Sequence, residues 1–135
     1  MSNNMDRQRF EELVIRAIEQ LPPEFQDKLE NVDVLIEDWP SRAQLGRMRL
    51  RDRGQLLGLY EGIPHTERGN SYNLVLPDKI TIFQKPIEAL CHTESEIEAE
   101  IVSVVRHEIA HHFGTDEKTL RKLEGQKRRR TKRPK

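Results

Sequence analysis

The chain has 135 residues, 35% of them hydrophobic, 5% aromatic and 34% charged, with 23 basic against 23 acidic side chains and a formal net charge of zero. Such a length supports one modest, mostly aliphatic core and argues against a second domain. No apolar run approaches the roughly 18 residues of a membrane span and the N-terminus lacks a signal-peptide core, so a cytoplasmic protein with no membrane partner is expected. The single Cys91 cannot form an internal disulfide, which fits a reducing compartment and a buried structural thiol.

In chain order, Phe10, Leu13, Val14, Ala17, Ile18 and Leu21 recur at helical spacing until Pro22-Pro23, which predicts a first helix over about 6–20. A short helical turn over 24–29 follows the prolines. Val32, Val34 and Ile36 then alternate with Asp33, Leu35 and Glu37 ahead of Trp39-Pro40, the pattern of a strand. The stretch 41–54 holds Arg42, Arg47, Arg49, Arg51 and Arg53 and reads as a solvated loop, or else as part of a surface that meets substrate or nucleic acid.

Gln55–Tyr60, Tyr72–Leu76 and Lys79–Gln84 are rich in aliphatic and aromatic residues and bounded by Gly, Pro, Asn and Asp. With the first strand they predict a small mixed sheet of about four strands, hence an α+β fold. Between them, residues 62–69 form a Gly- and Pro-containing loop that carries His65, Glu67 and Arg68. Loops display functional polar groups more often than cores do. Arg68 is a candidate clamp for a substrate carboxylate or an oxyanion, with His65 assisting; the plainer reading is local pairing of Glu67 with Arg68.

Ile97, Ile101, Val104, Val105 and Ile109 share one helical face after Thr93-Glu94-Ser95-Glu96, a capping-box pattern, so a long helix is predicted over 94–113 with Gly114 as its C-cap. At its end stands His107-Glu108-Ile109-Ala110-His111. Residues four apart on a helix lie on one face, so both imidazoles aim at one point. A histidine pair of this kind is a zinc site in waiting, because zinc takes imidazole nitrogen and a catalytic site keeps one position open for water. Glu108, beside the first histidine, is the candidate general base. A tetrahedral site needs a third protein ligand, and Asp116 and Glu117 are both near enough in sequence, although either can instead cap a following helix over 116–124. His112 points about 100° around the helix from His111 and is read as a residue that supports the site from behind its ligands or packs, and not as a ligand.

Residues 126–135 hold seven basic side chains and no acid, which leaves the preceding 125 residues with 16 basic against 23 acidic groups. Such a tail cannot build a core and is expected to be a disordered arm, distinct from a folded unit over 1–125. It can bind RNA, DNA or an acidic partner weakly through phosphate-type contacts, or act only as a solubilising segment.

HEIAHHFGTDEKTL at 107–120, LLGLYEGIPHTERG at 56–69 and LPDKITIFQKPIE at 76–88 resemble the small bacterial zincin-like metallopeptidases, those with a minimal zincin fold. The resemblance covers most of residues 10–125. It implies an α+β zincin fold, zinc at His107 and His111, an acidic third ligand after Gly114, and Glu108 as general base. Among zincins that bend at this glycine the third ligand lies three residues on, which favours Glu117 over Asp116. It also implies an open strand beside the metal helix that pairs with an extended peptide, here Lys79–Gln84 or its neighbour. The chain departs from metzincins in having an acid at the third position and no methionine after Met48, and from rRNA-maturation hydrolases in having Glu108 where they have glycine. The expected function is therefore a zinc peptidase acting on peptide or protein. The alternatives are a metal-dependent RNA hydrolase and a binding module whose zinc is structural.

Overall fold

Asp6 opens the first helix by accepting a hydrogen bond from the Arg9 amide at 3.0 Å. In the computed structural model, which describes residues 5–62 and 76–113, the elements run α1 (Arg7–Glu19), α2 (Pro23–Lys28), β1 (Val32–Glu37), α3 (Arg42–Arg47), a 3-10 turn (Arg53–Gln55), β2 (Gly58–Glu61), β3 (Asp78–Phe83), α4 (Gln84–Leu90) and α5 (Glu94–His112). The α+β class, the first helix, the turn after the prolines, the first strand and the long histidine-bearing helix follow the periodicities.

The sheet has the order β1-β3-β2, with β1 parallel and β2 antiparallel to β3. It has three strands among the described residues rather than about four. Of the predicted strand Tyr72–Leu76 only Leu76 is described, and it is exposed and outside any strand; residues 72–75 lie outside the described residues. The central position of β3 bears on the two strands named for the open edge. Lys79–Gln84 falls mostly in β3, which is paired on both sides, whereas its neighbour β2 lies against α5 and is paired on one side only among the described residues.

Strand periodicity divides the sheet into two faces. Ile80 and Ile82 of β3 share a face with Val34 and Ile36 of β1 and with Tyr60 and Gly58 of β2, as the registers require. That face packs on α1 and α5, where Phe10, Leu13, Val14, Ala17, Ile97, Ile101, Val105 and Ile109 complete the main core. Ion pairs hold the two helices together at the rim: Arg9 grips the Glu94 carboxylate with two hydrogen bonds of 2.7 and 3.0 Å, and Arg16 meets Glu98 at 3.2 Å. Cys91 is buried at the edge of this core, and burial pushes its thiol above the ordinary value, as expected of a structural cysteine.

Leu59 and Phe83 point to the opposite face and form a smaller cluster with Leu56, against which Leu45 and Leu50 pack. The last two arrive from α3 and the turn after it, in the stretch read as a loop. Ser41 caps α3 and Gln44 returns the bond to the Ser41 amide, a complete capping box whose sequence signature is Ser-x-x-Gln. Arginines of this stretch are tied to their neighbours: Arg47 pairs with Glu61, and the Arg53 guanidinium lies 3.9 Å from the Trp39 ring centre. Two boundaries also differ from the pattern. Strand β2 begins at Gly58 because Arg53–Gln55 form the 3-10 turn, and α4 starts at Gln84 directly after β3, with Pro86 tolerated in its first turn.

Candidate active site

The long helix α5 carries the site. Thr93 accepts from the Glu96 amide at 3.1 Å, while the Glu96 carboxylate reaches back to the His92 amide at 2.7 Å, one residue beyond the usual capping-box target. The buried stripe Ile97, Ile101, Val104, Val105 and Ile109 fixes the rotation of the helix. That rotation leaves His107 and His111 exposed on its outer side and turns Glu108 and His112 toward β2.

The imidazoles of His107 and His111 have ring centres 5.3 Å apart with planes inclined by 36°. Two imidazoles bound to one tetrahedral ion at about 2.0–2.1 Å place their ring centres about 5 Å apart, so this pair fits a shared metal with little rearrangement. Among the described residues no third His, Cys, Asp or Glu completes a metal-binding group. The predicted third ligands Asp116 and Glu117 lie outside the described residues, as do Gly114, the helix expected at 116–124 and the basic tail. His65 and Arg68 also lie outside them.

Glu108 is partly buried between α5 and β2. Burial raises its carboxyl above the ordinary carboxylate range, opposed by the hydrogen bond it accepts from the Tyr60 amide at 3.2 Å and by His107 and His111. The direction of that amide follows from strand pairing. Phe83 donates its N–H to the Leu57 carbonyl at 3.0 Å, and in an antiparallel ladder bonded and unbonded pairs alternate. Leu57, Leu59 and Glu61 therefore face β3 with their backbone groups, whereas Gly58 and Tyr60 present theirs to the other side, which no strand pairs with among the described residues. Glu108 occupies one group of that side.

Tyr60 and Gly58 are the site residues that sequence reasoning missed. The Tyr60 ring stacks on His112 with centres 3.9 Å apart and planes 18° from parallel, and its hydroxyl donates to Asp78 at 2.7 Å. Burial first, and then the Asp78 carboxylate, push the phenol well above its usual value, so it stays protonated. His112 packs on the Tyr60 ring here and lies 3.8 Å from Asp78. Gly58 sits where β2 crosses α5 so closely that a Cβ would lie 2.5 Å from Val104 Cγ1. A strand was legible at these positions, but neither the close crossing nor the direction of the Tyr60 amide was.

The match with known proteins now has a geometry to explain. A sequence profile of zincin-like metallopeptidases matches residues 29–127, most of the chain, including β2, β3 and all of α5. The chain belongs to the zincin-like metallopeptidase family. That family points to a metal-dependent hydrolase, and its usual metal is zinc. No curated protein matches the chain. Among solved structures, a conserved hypothetical protein from Thermus thermophilus is similar at 23% sequence identity and a TM-score of 0.55, covering 84% of this chain and 99% of its own length. At that identity the likeness concerns the fold alone. No described helix is long and apolar enough to cross a membrane.

Proposed function

We propose that this member of the family is a zinc peptidase in which His107 and His111 hold the metal, Glu117 or Asp116 supplies the third ligand, and Glu108 is the general base. The observation that carries the reading is the placement of the Glu108 carboxylate: next in sequence to His107 of a convergent histidine pair and 3.2 Å from the Tyr60 amide, on the side of β2 that no strand pairs with among the described residues. Bound zinc would supply a Lewis acid and lower the pKa of water toward about 7. Glu108 would be the group that takes up a proton, and its raised affinity for protons in this partly buried position suits that task and the later return of the proton to a leaving amine.

The edge of β2 supports the choice of a peptide as substrate. An extended peptide laid along it would find the outward backbone groups of Gly58 and the Tyr60 carbonyl, the Tyr60 amide being taken by Glu108, and such groups pair with backbone rather than side chains and so accept any sequence of suitable shape. A nucleic acid has no matching ladder of amides and carbonyls. The RNA-hydrolase alternative rests on residues 126–135, outside the described part of the chain.

The test is a pair of measurements on zinc-supplemented full-length protein. Wild type should carry about one zinc per chain and cleave unstructured peptides; Glu108→Gln should keep the zinc and lose nearly all cleavage, because an amide accepts the Tyr60 bond but takes no proton from water. Alanine at His107 or His111 should remove the metal. Comparison of Asp116→Ala with Glu117→Ala for zinc affinity identifies the third ligand. Wild type that binds no zinc, or a Glu108→Gln protein that still hydrolyses peptides at the original rate, would refute the assignment.

A further inference from the structure

Residues 41–54 carry positive charge that the hydrolytic site does not use. Arg42, Arg47, Arg49, Arg51 and Arg53 stand there with one acid, Asp52, and no lysine. All five are exposed. Without this stretch the first 125 residues hold 11 basic against 22 acidic side chains, so the arginines form a positive island on an acidic body.

The island is built on a packed platform. A complete capping box starts α3, and Leu45 and Leu50 seat the segment on Leu56, Leu59 and Phe83. Two of the arginines are used inside the molecule, Arg47 on Glu61 and Arg53 over the Trp39 ring. The side chains of Arg42, Arg49 and Arg51 make no hydrogen bond, ion pair or ring contact among the described residues.

The backbone is strained at one of these three. Arg49 has φ of 57°, the only positive value on a non-glycine residue among the described residues. Its amide donates to the Gly46 carbonyl at 3.0 Å and the Leu50 amide to the Leu45 carbonyl at 2.9 Å, the paired bonds of a Schellman C-cap. Glycine takes this left-handed position without strain. An arginine takes it at a cost in stability, and no contact of its side chain among the described residues offsets that cost. A strained residue that ends in an unpartnered charge points to a use outside the chain.

The same turn borders the candidate active site. Met48 and Leu50, on either side of Arg49, line a cavity of about 350 Å³ together with Gly58, Val104, His107 and Glu108. A ligand held at Arg49 therefore lies beside a surface shared with the candidate metal ligand and the candidate base. The six residues of α3 rise only about 9 Å, so Arg42 and Arg49 are within reach of one extended peptide of a few residues at about 3.3 Å each.

The chemistry of the three side chains selects the ligand. A guanidinium fork takes a carboxylate through two parallel hydrogen bonds, and its weak hydration makes it easy to desolvate. Three such forks suit a short run of Asp and Glu. A nucleic acid fits less well, because its phosphates continue past the island toward acidic surface, within the Debye length of about 8 Å. The neighbouring ring, Trp39, already has Arg53 on it and is not an open platform for stacking bases.

We propose that Arg42, Arg49 and Arg51 form a docking surface for a short acidic segment of a peptide or protein substrate, held there beside the hydrolytic site. The proposal rests on the peptidase reading above and names the class of substrate.

Binding and cleavage are measured separately on full-length, zinc-supplemented protein. Capped fluorescent peptides carrying a run of Asp and Glu, and counterparts with Asn and Gln in their place, are titrated into the Glu108→Gln protein. Each exposed ion pair is worth a factor of about 1.5 to 5, so the acidic peptides should bind about tenfold more tightly, an advantage that shrinks in high salt. Combining Arg42→Gln, Arg49→Gly and Arg51→Gln should leave the melting temperature no lower and reduce acidic-peptide affinity by about fivefold or more, with the amide peptides unaffected. Should that variant fail to fold, Arg49→Gly alone carries the test with a loss of about twofold. Removing the same charge from the tail by Arg128→Gln, Arg129→Gln and Arg130→Gln should have a smaller effect than the triple change in the island. Wild type should cleave the acidic peptides with a lower KM and an unchanged kcat. Equal affinity for acidic and amide peptides, or an equal loss from the tail variant, overturns the docking surface and leaves the peptidase reading standing. Tighter binding of a single-stranded oligouridine through the same three arginines assigns the surface to nucleic acid and overturns the proposal. Arginine-dependent binding of acidic peptides with no cleavage of any peptide by wild type overturns the peptidase reading and leaves the docking surface standing.

Discussion

Replacing Gly58 by alanine tests the contact on which the site is built. The added Cβ would lie 2.5 Å from Val104 Cγ1, 3.3 Å from the Thr81 carbonyl oxygen and 3.6 Å from Glu108 Cγ. Carbon atoms rest about 3.5–4.0 Å apart, so Val104 and Gly58 must separate by about 1 Å. The Val104 side chain cannot simply rotate, because a β-branched residue in a helix has one strongly preferred rotamer. The Thr81 carbonyl belongs to β3 and is fixed by the sheet. The strain of such overpacking is about 1–3 kcal/mol, offset by about 0.4–1 kcal/mol from the stiffer unfolded chain. A net loss of about 1–2 kcal/mol is expected, read as a midpoint shift in urea unfolding with unchanged slope and as a drop of about 4–8 °C in the melting temperature. Catalysis should suffer more than stability, since β2 and α5 must part and the Tyr60 amide then leaves the Glu108 carboxylate. Val104→Ala removes the offending methyl, so the double variant should be more stable than the sum of the single changes predicts, by at least about 1 kcal/mol. A Gly58→Ala protein as stable as wild type, or strictly additive behaviour with Val104→Ala, would mean that β2 does not approach α5 as described.

Three further outcomes are expected. In metal-free protein the folded state holds the Glu108 proton more tightly than the unfolded chain does, so this group contributes stability below its unfolded pKa that is lost as pH rises through the raised folded value; Glu108→Gln should therefore melt higher than wild type at pH 7–8 and converge with it near about pH 4, and an unchanged melting temperature at neutral pH would contradict the burial of that carboxylate. The Thr81 hydroxyl is fully buried at the sheet centre with no hydrogen-bond partner among the described residues, so Thr81→Val should stabilise the protein by about 1 kcal/mol in denaturant unfolding, whereas a destabilised variant would reveal a partner for the hydroxyl. Arg49→Gly should stabilise by a similar amount, because glycine removes the roughly 1–2 kcal/mol cost of the left-handed conformation at the end of α3; a loss of stability would mean that the Arg49 side chain is needed where it lies.

What could be read without the tertiary structure was local. The i, i+4 geometry of a helix brings His107 and His111 together wherever that helix is placed, and the apolar stripe from Ile97 to Ile109 decides that it forms and which face is buried. The alternation in Val32–Glu37 likewise announces a half-buried strand, and the structure buries Val32, Val34 and Ile36 more deeply than their neighbours. The Ser-x-x-Gln signature of α3 was present too, but its six residues are too few for periodicity to outweigh the run of arginines. The surroundings of the Glu108 carboxylate beside that pair, by contrast, come from contacts between distant segments. Tyr60 and Glu108 are 48 residues apart in sequence, and their bond exists because the order β1-β3-β2 places β2 at the end of the sheet among the described residues and a glycine lets α5 come against it. Strand order depends on which surfaces pack in three dimensions, and a strand pattern states its two faces without naming its neighbours; the direction of one amide of β2 is therefore information that only the assembled sheet contains.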